Sequence, residues 1–330
     1  MSRWYARIAG WGCYIPSRVL TNHDLERMVD TSDEWIRTRS GIVERRIADE
    51  EETTAYMGGR AAAAALARAG VAADEVDLIL VATCTGDYPG FPSTACLVQE
   101  RLGARNAGAC DVGAACSGFI YGLVMGSQFV ATGACRNVLV VGAERMSRII
   151  DWTDRATCVL FGDGAGAVLL QPTDQPGGLL SFVLGADGSG GCHLLIPAGG
   201  TTRPASHETV EERMHFVRMN GREVYRFATT IVPDALVRAV QQAGLQPSQV
   251  DLLIPHQANS RIIDAAARRL ELPEERVVVN IDRYGNTSAA SIPVALCEAL
   301  EDGRVRSGSR LAMVGFGAGL TWAAAVWQWH

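Results

Sequence analysis

The chain repeats itself at low similarity, and this constrains its fold more than any single motif, because a duplicated unit places its site where the two copies meet. Ala69-Gly70 followed by Val76-Asp77-Leu78-Ile79-Leu80 matches Ala243-Gly244 followed by Val250-Asp251-Leu252-Leu253-Ile254, with Gly244 and Asp251 each standing 174 positions after Gly70 and Asp77. Later, Gly162-Asp163-Gly164-Ala165-Gly166-Ala167-Val168 resembles Gly315-Phe316-Gly317-Ala318-Gly319-Leu320-Thr321, in the same order. Each half reads as amphipathic helix, buried strand, Gly- and Ser-rich turn, apolar helix, strand and glycine hairpin. That succession predicts βαβ-type units and a duplicated, layered α/β fold with pseudo-symmetric halves, residues 1–174 and 175–330.

The copies differ in length. The span from Asp77 to Gly162 exceeds that from Asp251 to Gly315 by about 21 residues, an insertion suited to subunit contacts or a pocket cover. Residues 197–212, rich in Gly, Thr, Pro and charge, read as an exposed loop. Gly162, Gly164 and Ala167 satisfy a dinucleotide-type G-x-G-x-x-A spacing, but the strand-like Val168-Leu169-Leu170 follows where a helix is required. Glycines here are expected to let backbones approach closely or turn tightly.

Composition removes several chemistries. All 30 cationic side chains are arginine, so Schiff-base lysines, a Walker lysine and the S-x-x-K hydrolase arrangement are excluded. A net charge of -6 argues against nonspecific nucleic-acid binding. With 48% hydrophobic residues and no long uncharged apolar run, the chain reads as globular and soluble. Arg3 and Arg7 among Trp4, Tyr5 and Ile8 do not make a signal peptide, so the cytoplasm is the expected location. The 9 cysteines include no C-x-x-C pair, so neither a disulfide framework nor a metal site is expected. All but Cys116 are expected to be small buried hydrophobes.

Three polar residues stand out in apolar or glycine-rich settings: Cys116 in Ala-Ala-Cys-Ser-Gly-Phe, His256 in Pro-His-Gln-Ala-Asn, and Asn286 in Tyr-Gly-Asn-Thr-Ser. A thiol, an imidazole and a carboxamide are the groups needed to form a thioester and stabilise a carbanion beside it. Cys116 falls where a strand and turn around Asp111 to Ala115 give way to a predicted helix through Ala131, whose positive end favours thiolate. His256 follows the buried strand Leu252 to Pro255, and Asn286 a strand predicted over Val277 to Ile281. Read singly, these are also a packed core cysteine, a hydrogen-bonded core histidine, and a turn or cap asparagine.

Together the three motifs resemble the condensing enzymes of the thiolase superfamily, closest to the β-ketoacyl-acyl carrier protein synthase III family. The resemblance spans essentially the whole chain. It includes Thr31-Ser32-Asp33-Glu34-Trp35-Ile36, Phe91-Pro92-Ser93, Asp154-Arg155, Phe161-Gly162-Asp163-Gly164-Ala165-Gly166, Gly221-Arg222-Glu223-Val224 and Gly315-Phe316-Gly317-Ala318-Gly319. It implies a thiolase-like α-β-α-β-α fold whose first half carries the nucleophilic cysteine and whose second carries the histidine and asparagine. It also implies a decarboxylative condensation, because Asn286 cannot act as a base but, with His256, can hydrogen-bond an enolate. An acyl-CoA primer, acetyl or another short acyl, would load Cys116 and then react with malonyl-acyl carrier protein. The products would be 3-oxoacyl-acyl carrier protein, CoA and CO2, initiating fatty-acid biosynthesis.

The same resemblance assigns further roles. Backbone N–H groups of Cys116 and Ala318 would form the oxyanion hole, with Ala318 standing where many relatives have glycine. Trp35, Arg39, Arg155, Gly221 and Asn259 would bind CoA. Phe91, Phe161 and Phe316 would line the acyl pocket, with Phe91 reaching across a homodimer interface. Arg261, Arg268 and Arg269, at i, i+7 and i+8 of a predicted helix, would present one basic face to the carrier protein, extended by Arg226. No resident cofactor or metal is implied. The alternatives are a secondary-metabolism relative with another acceptor and a noncatalytic partner subunit, which would have no need of Cys116.

Overall fold

The computed structural model describes residues 4–330, leaving Arg3 outside. Strands β1 (Tyr5–Tyr14), β2 (Leu78–Ala82), β3 (Gly108–Val112), β4 (Val138–Arg145) and β5 (Asp163–Thr173) form a sheet in the order β1-β5-β4-β2-β3. Strands β6 (Gly178–Ala186), β7 (Leu252–Pro255), β8 (Arg310–Gly317) and β9 (Thr321–Gln328) form a second, in the order β7-β8-β9-β6. Pairing repeats the duplication: β2 lies parallel to β4 and β7 parallel to β8, while β4–β5 and β8–β9 are antiparallel. The partner that β2 finds in β3 is reduced in the second half to a single parallel bridge between Leu253 and Val277.

Side-chain alternation builds the layers. In β2, Leu80 and Ala82 face one apolar cluster and Ile79 and Val81 another; in β7, Leu252 and Ile254 face the first and Leu253 a third. This is the period-two pattern of strands covered on both faces. Between the sheets lie α4 (Gly118–Ala131) and α7 (Ser291–Glu301), which contribute Phe119, Ile120 and Leu123, and Ile292, Ala295 and Leu296, to the shared cluster. Helices α2 (Thr54–Ala69) and α3 (Thr94–Leu102) cover the outside of the first sheet. Helices α5 (Gly221–Gln242) and α6 (Ser260–Arg269) cover the outside of the second, and α1 (Asp33–Ser40) adds Ile36 to the same cluster. The α-β-α-β-α order is therefore as expected. Among the described residues, no helix is long and apolar enough to cross a membrane.

Glycine allows the central layer to close. A Cβ on Gly166 of β5 would lie 2.8 Å from the backbone of Pro293 in α7, and one on Gly142 of β4 would lie 2.3 Å from the Ala289 carbonyl oxygen. Backbones this close leave no room for a side chain.

Several expectations need correction. The glycine match is displaced: Gly162 precedes β5 and Gly164 and Gly166 lie within its first residues, whereas Gly315 and Gly317 end β8 and Gly319 lies in the turn to β9. A tight hairpin, residues 318–320, therefore exists only in the second half; the first half uses residues 146–162 for the same connection. The extra length falls there, since β2 to β4 and β7 to β8 occupy nearly equal spans. The strand predicted over Val277 to Ile281 shrinks to its one bridge, because the Gln257 side-chain oxygen accepts from Asn280 N–H (3.0 Å) and Ile281 N–H (3.2 Å) and turns the chain into the short helix Ile281–Tyr284.

The loop at residues 197–212 is largely exposed but contains the short helix His207–Glu211, capped by Ser206. All nine cysteines are free thiols, yet apart from Cys116 only Cys158 and Cys297 are buried. Cys84, Cys96, Cys110 and Cys192 are exposed; Cys110 lies on β3, an edge strand of its sheet.

Candidate active site

Cys116 sits in a strand-to-helix turn: β3 ends at Val112, a short 3-10 turn spans Ala115–Ser117, and α4 begins at Gly118. Ala115 has φ 45°, a left-handed conformation that costs a residue with a Cβ about 1–2 kcal/mol. Hydrogen bonds hold it in place. Ser117 Oγ donates to the Ala114 carbonyl (2.7 Å) and accepts from Thr321 Oγ1 (2.9 Å), which also lies 3.0 Å from the same carbonyl. β8 also presses on the turn, where a Cβ on Gly317 would stand 2.6 Å from Cys116 N.

The electrostatics differ from the helix-dipole expectation. Cys116 is 8% exposed, and burial pushes its thiol up to about 12, with the nearby Ser288 hydroxyl opposing this and the Glu144 carboxylate adding to it. Burial thus opposes the partial charge of the helix end and favours the thiol at rest.

His256 follows β7, and its N–H donates to the Val314 carbonyl of β8 (2.8 Å). Nδ1 lies 2.6 Å from Ser291 Oγ, at the start of α7, and the ring meets Phe316 edge-on at 5.7 Å. Burial holds its pKa down at about 3, so the imidazole is neutral. Asn286 is fastened to the long β4–β5 connection: its N–H donates to the Leu160 carbonyl (2.9 Å), and its own carbonyl accepts from Gly162 N–H (3.1 Å). Ser288 N–H donates to Asn286 Oδ1 (2.8 Å), which leaves Nδ2 as the free end of the amide.

All three side chains line one cavity of 630 Å³, together with Trp35, Arg39, Arg155, Phe161, Gly221, Asn259 and Phe316. The fold thus brings together residues that the sequence left far apart. Arg155 lies over the Trp35 ring at 4.8 Å and donates to the Asp30 carbonyl (2.7 Å). Asn259 is committed at both ends, capping α6 by accepting from Arg261 N–H (3.0 Å) and donating to the Arg39 carbonyl (2.9 Å). Its amide therefore serves first as a brace. A second cavity of 250 Å³ also reaches Cys116 and is lined by Ala318, Phe161 and the apolar Met146, Ile149, Leu194 and Val217.

Two groups of expected residues lie wholly or partly outside these cavities. Phe91 is 87% exposed and lines neither cavity, so it can wall an acyl pocket only in another copy of the chain. The α6 arginines divide: Arg261 lines the large cavity, while Arg268 and Arg269 line a shallow groove with Thr229, Thr230 and Asp234. Arg226 pairs with Glu223 on its own helix.

The cavity gains instead Arg222 and Tyr225 from the first turns of α5. Arg222 lay inside a recognised motif without being assigned a role. The β4–β5 connection that supplies Arg155 and Phe161 is firmly tied. Arg213 binds the Asp151 carboxylate at 2.6 and 2.9 Å, holding it well below the usual range, and buried Arg45 donates to the Val159 carbonyl (2.7 Å).

Comparison with known proteins agrees with this arrangement. Family sequence models described as 3-oxoacyl-[acyl-carrier-protein (ACP)] synthase III match residues 110–188, and the corresponding C-terminal model matches residues 240–329. The beta-ketoacyl-[acyl-carrier-protein] synthase III of Symbiobacterium thermophilum is 58% identical over 322 residues, covering 98% of this chain and 97% of the relative. The crystal structure of the 3-oxoacyl-[acyl-carrier-protein] synthase III from Aquifex aeolicus VF5 superposes with a TM-score of 0.90 at 47% identity, covering 98% of this chain and 100% of that one. The priming beta-ketosynthase from the R1128 polyketide biosynthetic pathway superposes with a TM-score of 0.91 at 39% identity, covering 99% and 97%. The duplicated layers, the cavity joining both halves and the near-complete coverage by these relatives have one reading: the chain belongs to the β-ketoacyl-acyl carrier protein synthase III family.

Proposed function

We propose that this chain condenses an acyl-CoA primer with malonyl-acyl carrier protein, releasing CoA and CO2 and forming 3-oxoacyl-acyl carrier protein, the initiating step of fatty-acid synthesis. The observation that carries the proposal is a buried thiol, a neutral imidazole and an amide donor facing one cavity from two halves of the fold.

Cys116 sulfur attacks the primer thioester as its proton departs, the oxyanion rests on the N–H groups of Cys116 and Ala318, and CoA leaves with a proton. The acyl group extends into the 250 Å³ apolar cavity. Malonyl thioester then loses CO2, and its enolate oxygen is met by two donors, Asn286 Nδ2 and His256 Nε2. The imidazole donates from Nε2 in the tautomer where Ser291 donates to Nδ1, and its depressed pKa keeps it neutral in that role. The enolate carbon attacks acyl-Cys116, which completes the carbon–carbon bond and releases the thiolate, and the thiolate takes up a proton from water to restore the thiol.

At the cavity mouth, Trp35 with Arg39, Arg155, Arg222 and Arg261 suits the aromatic and anionic end of CoA. Arg261, with Arg226, Arg268 and Arg269 farther off, would meet an acidic carrier protein. The exposed Phe91 and the open edge of β3 support a homodimer. The proposed setting is the cytoplasm, with no resident cofactor.

The test is intact-protein mass spectrometry after incubation with acyl-CoAs, with and without malonyl-acyl carrier protein, on wild type and Cys116→Ala. The expected result is a Cys116-dependent adduct that disappears as 3-oxoacyl product forms. An adduct on Cys116→Ala, or one that persists until an alcohol or amine is supplied, would overturn the proposal.

A further inference from the structure

We propose that Glu144, acting through Ser288, is the positioning residue that fixes the orientation of the Asn286 amide, a role that rests on the condensation proposed above. Glu144 is the penultimate residue of β4, follows an all-apolar run and is 0% exposed. Oε1 accepts from Ser288 Oγ (2.8 Å) and Cys84 Sγ (3.2 Å), Oε2 accepts from Thr85 Oγ1 (2.5 Å) and Thr83 Oγ1 (3.2 Å), and Cys84 N–H is shared between them (3.2 and 3.1 Å). Ala289 N–H stands at 3.5 Å from Oε1. No cation joins it among the described residues: the adjacent Arg145 turns its guanidinium to the Asp49 and Glu50 carbonyls. A carboxylate buried among neutral donors is costly unless every lone pair is used, and here they are.

What that cost secures is a link between the halves. Thr83, Cys84 and Thr85 belong to the same half as Glu144, whereas Ser288 and Ala289 come from the turn that carries Asn286. Ser288 is held at φ 48°, a conformation that a residue with a Cβ leaves unless constrained. Its Oγ is tethered to Glu144, and its N–H donates to Asn286 Oδ1 at 2.8 Å. The carboxamide is therefore fixed with Oδ1 occupied and Nδ2 facing the cavity. If the tether is cut, Ser288 can relax and the amide can rotate, presenting an acceptor to the enolate oxygen. The loss should fall on the malonyl step more heavily than on attack by Cys116.

The experiment uses full-length Glu144→Gln, Ser288→Ala and the double variant, with two separate measurements: the rate of acyl-adduct formation from acetyl-CoA, and CO2 release from malonyl-acyl carrier protein by the preloaded enzyme. Glu144→Gln keeps the shape but sets an NH2 against a cluster of donors. Condensation is expected to fall roughly 10- to 100-fold in each single variant, loading to fall about tenfold less, and the double variant to be no slower than the slower single.

Equal loss in both half-reactions, losses that multiply in the double variant, or unchanged rates would each overturn the positioning role. If Glu144→Gln does not fold, Ser288→Ala, which removes a single oxygen, decides the matter by the same split between loading and condensation. Wild-type protein that loads but releases no CO2 from malonyl thioester would instead overturn the condensation itself, whatever the variants do.

Discussion

The turns that open the two central helices are built alike and used differently. Ala115 at φ 45° begins the 3-10 turn leading into α4, and Ser288 at φ 48° begins the 3-10 turn leading into α7. In the first half the residue after the strained position carries the thiol; in the second, the amide stands two residues before it and the strained residue itself acts as a brace. The two copies supply matched geometry, and the chemistry comes from where each departs from the other. The strand connections show the same principle: residues 318–320 bring Ala318 close to Cys116, while residues 146–162 supply Arg155 and Phe161 as cavity walls.

The largest test of this contrast is pH. Burial moves the two reactive groups in opposite directions and leaves both neutral, the thiol up to about 12 and the imidazole down to about 3. Unfolded histidine binds a proton below about 6.5, so the His256 contribution is intact above that value and is lost as pH falls toward 3. The thiol contribution is intact below about 9 and is lost as pH rises toward 12. Each limb is worth on the order of 4 kcal/mol. Denaturant titrations should show His256→Asn shrinking only the acid limb and Cys116→Ala shrinking only the alkaline limb, to which Cys158, pushed up to about 11 by burial, also contributes; a change in both limbs from one variant would break the separation.

Next in size is the division of labour in turnover. Asn286→Ala should cost condensation about 10²- to 10³-fold, the usual effect of one lost oxyanion donor, while acyl loading of Cys116 falls far less. Parallel losses would show that the second half also serves the first step.

Smaller again is the packing contact between the short connection and the Cys116 turn. Gly317→Ala puts a Cβ within 2.6 Å of Cys116 N and should destabilise by about 1–3 kcal/mol, read as a lower Tm. Gly188→Ala, which meets nothing within 4 Å, is the control. Smallest is the cavity wall: Arg155→Ala should raise KM for acyl-CoA about tenfold with kcat largely kept.

The layered fold was legible because its signal is periodic. The paired buried strands Leu78–Ala82 and Leu252–Pro255 stand at one offset, and their apolar residues had to face two layers. The catalytic candidates were legible because a thiol, an imidazole and an amide interrupt apolar or glycine-rich runs. The glycine correspondence was misregistered because glycine-rich strings look alike whether they enter a strand or close a hairpin.

The strand at Val277 was overread because a side chain, Gln257, took the backbone donors that a strand would need. Helical spacing grouped Arg261 with Arg268 and Arg269 but could not show that the cavity ends between them. Ser288 and Glu144 carried only a faint signal, a serine in a recognised turn and one carboxylate closing an apolar strand. Their importance lies in contacts between residues 144 positions apart.

Helices α4 and α7 occupy a single apolar layer, each covering surface that the other half leaves bare. A chain cut between residues 174 and 175 would leave two fragments, each with a large sticky face and neither with a complete site. In the intact protein the two halves are therefore expected to melt as one cooperative unit, with the proposed acyl transfer to Cys116 lost over the same denaturant range as the far-ultraviolet signal.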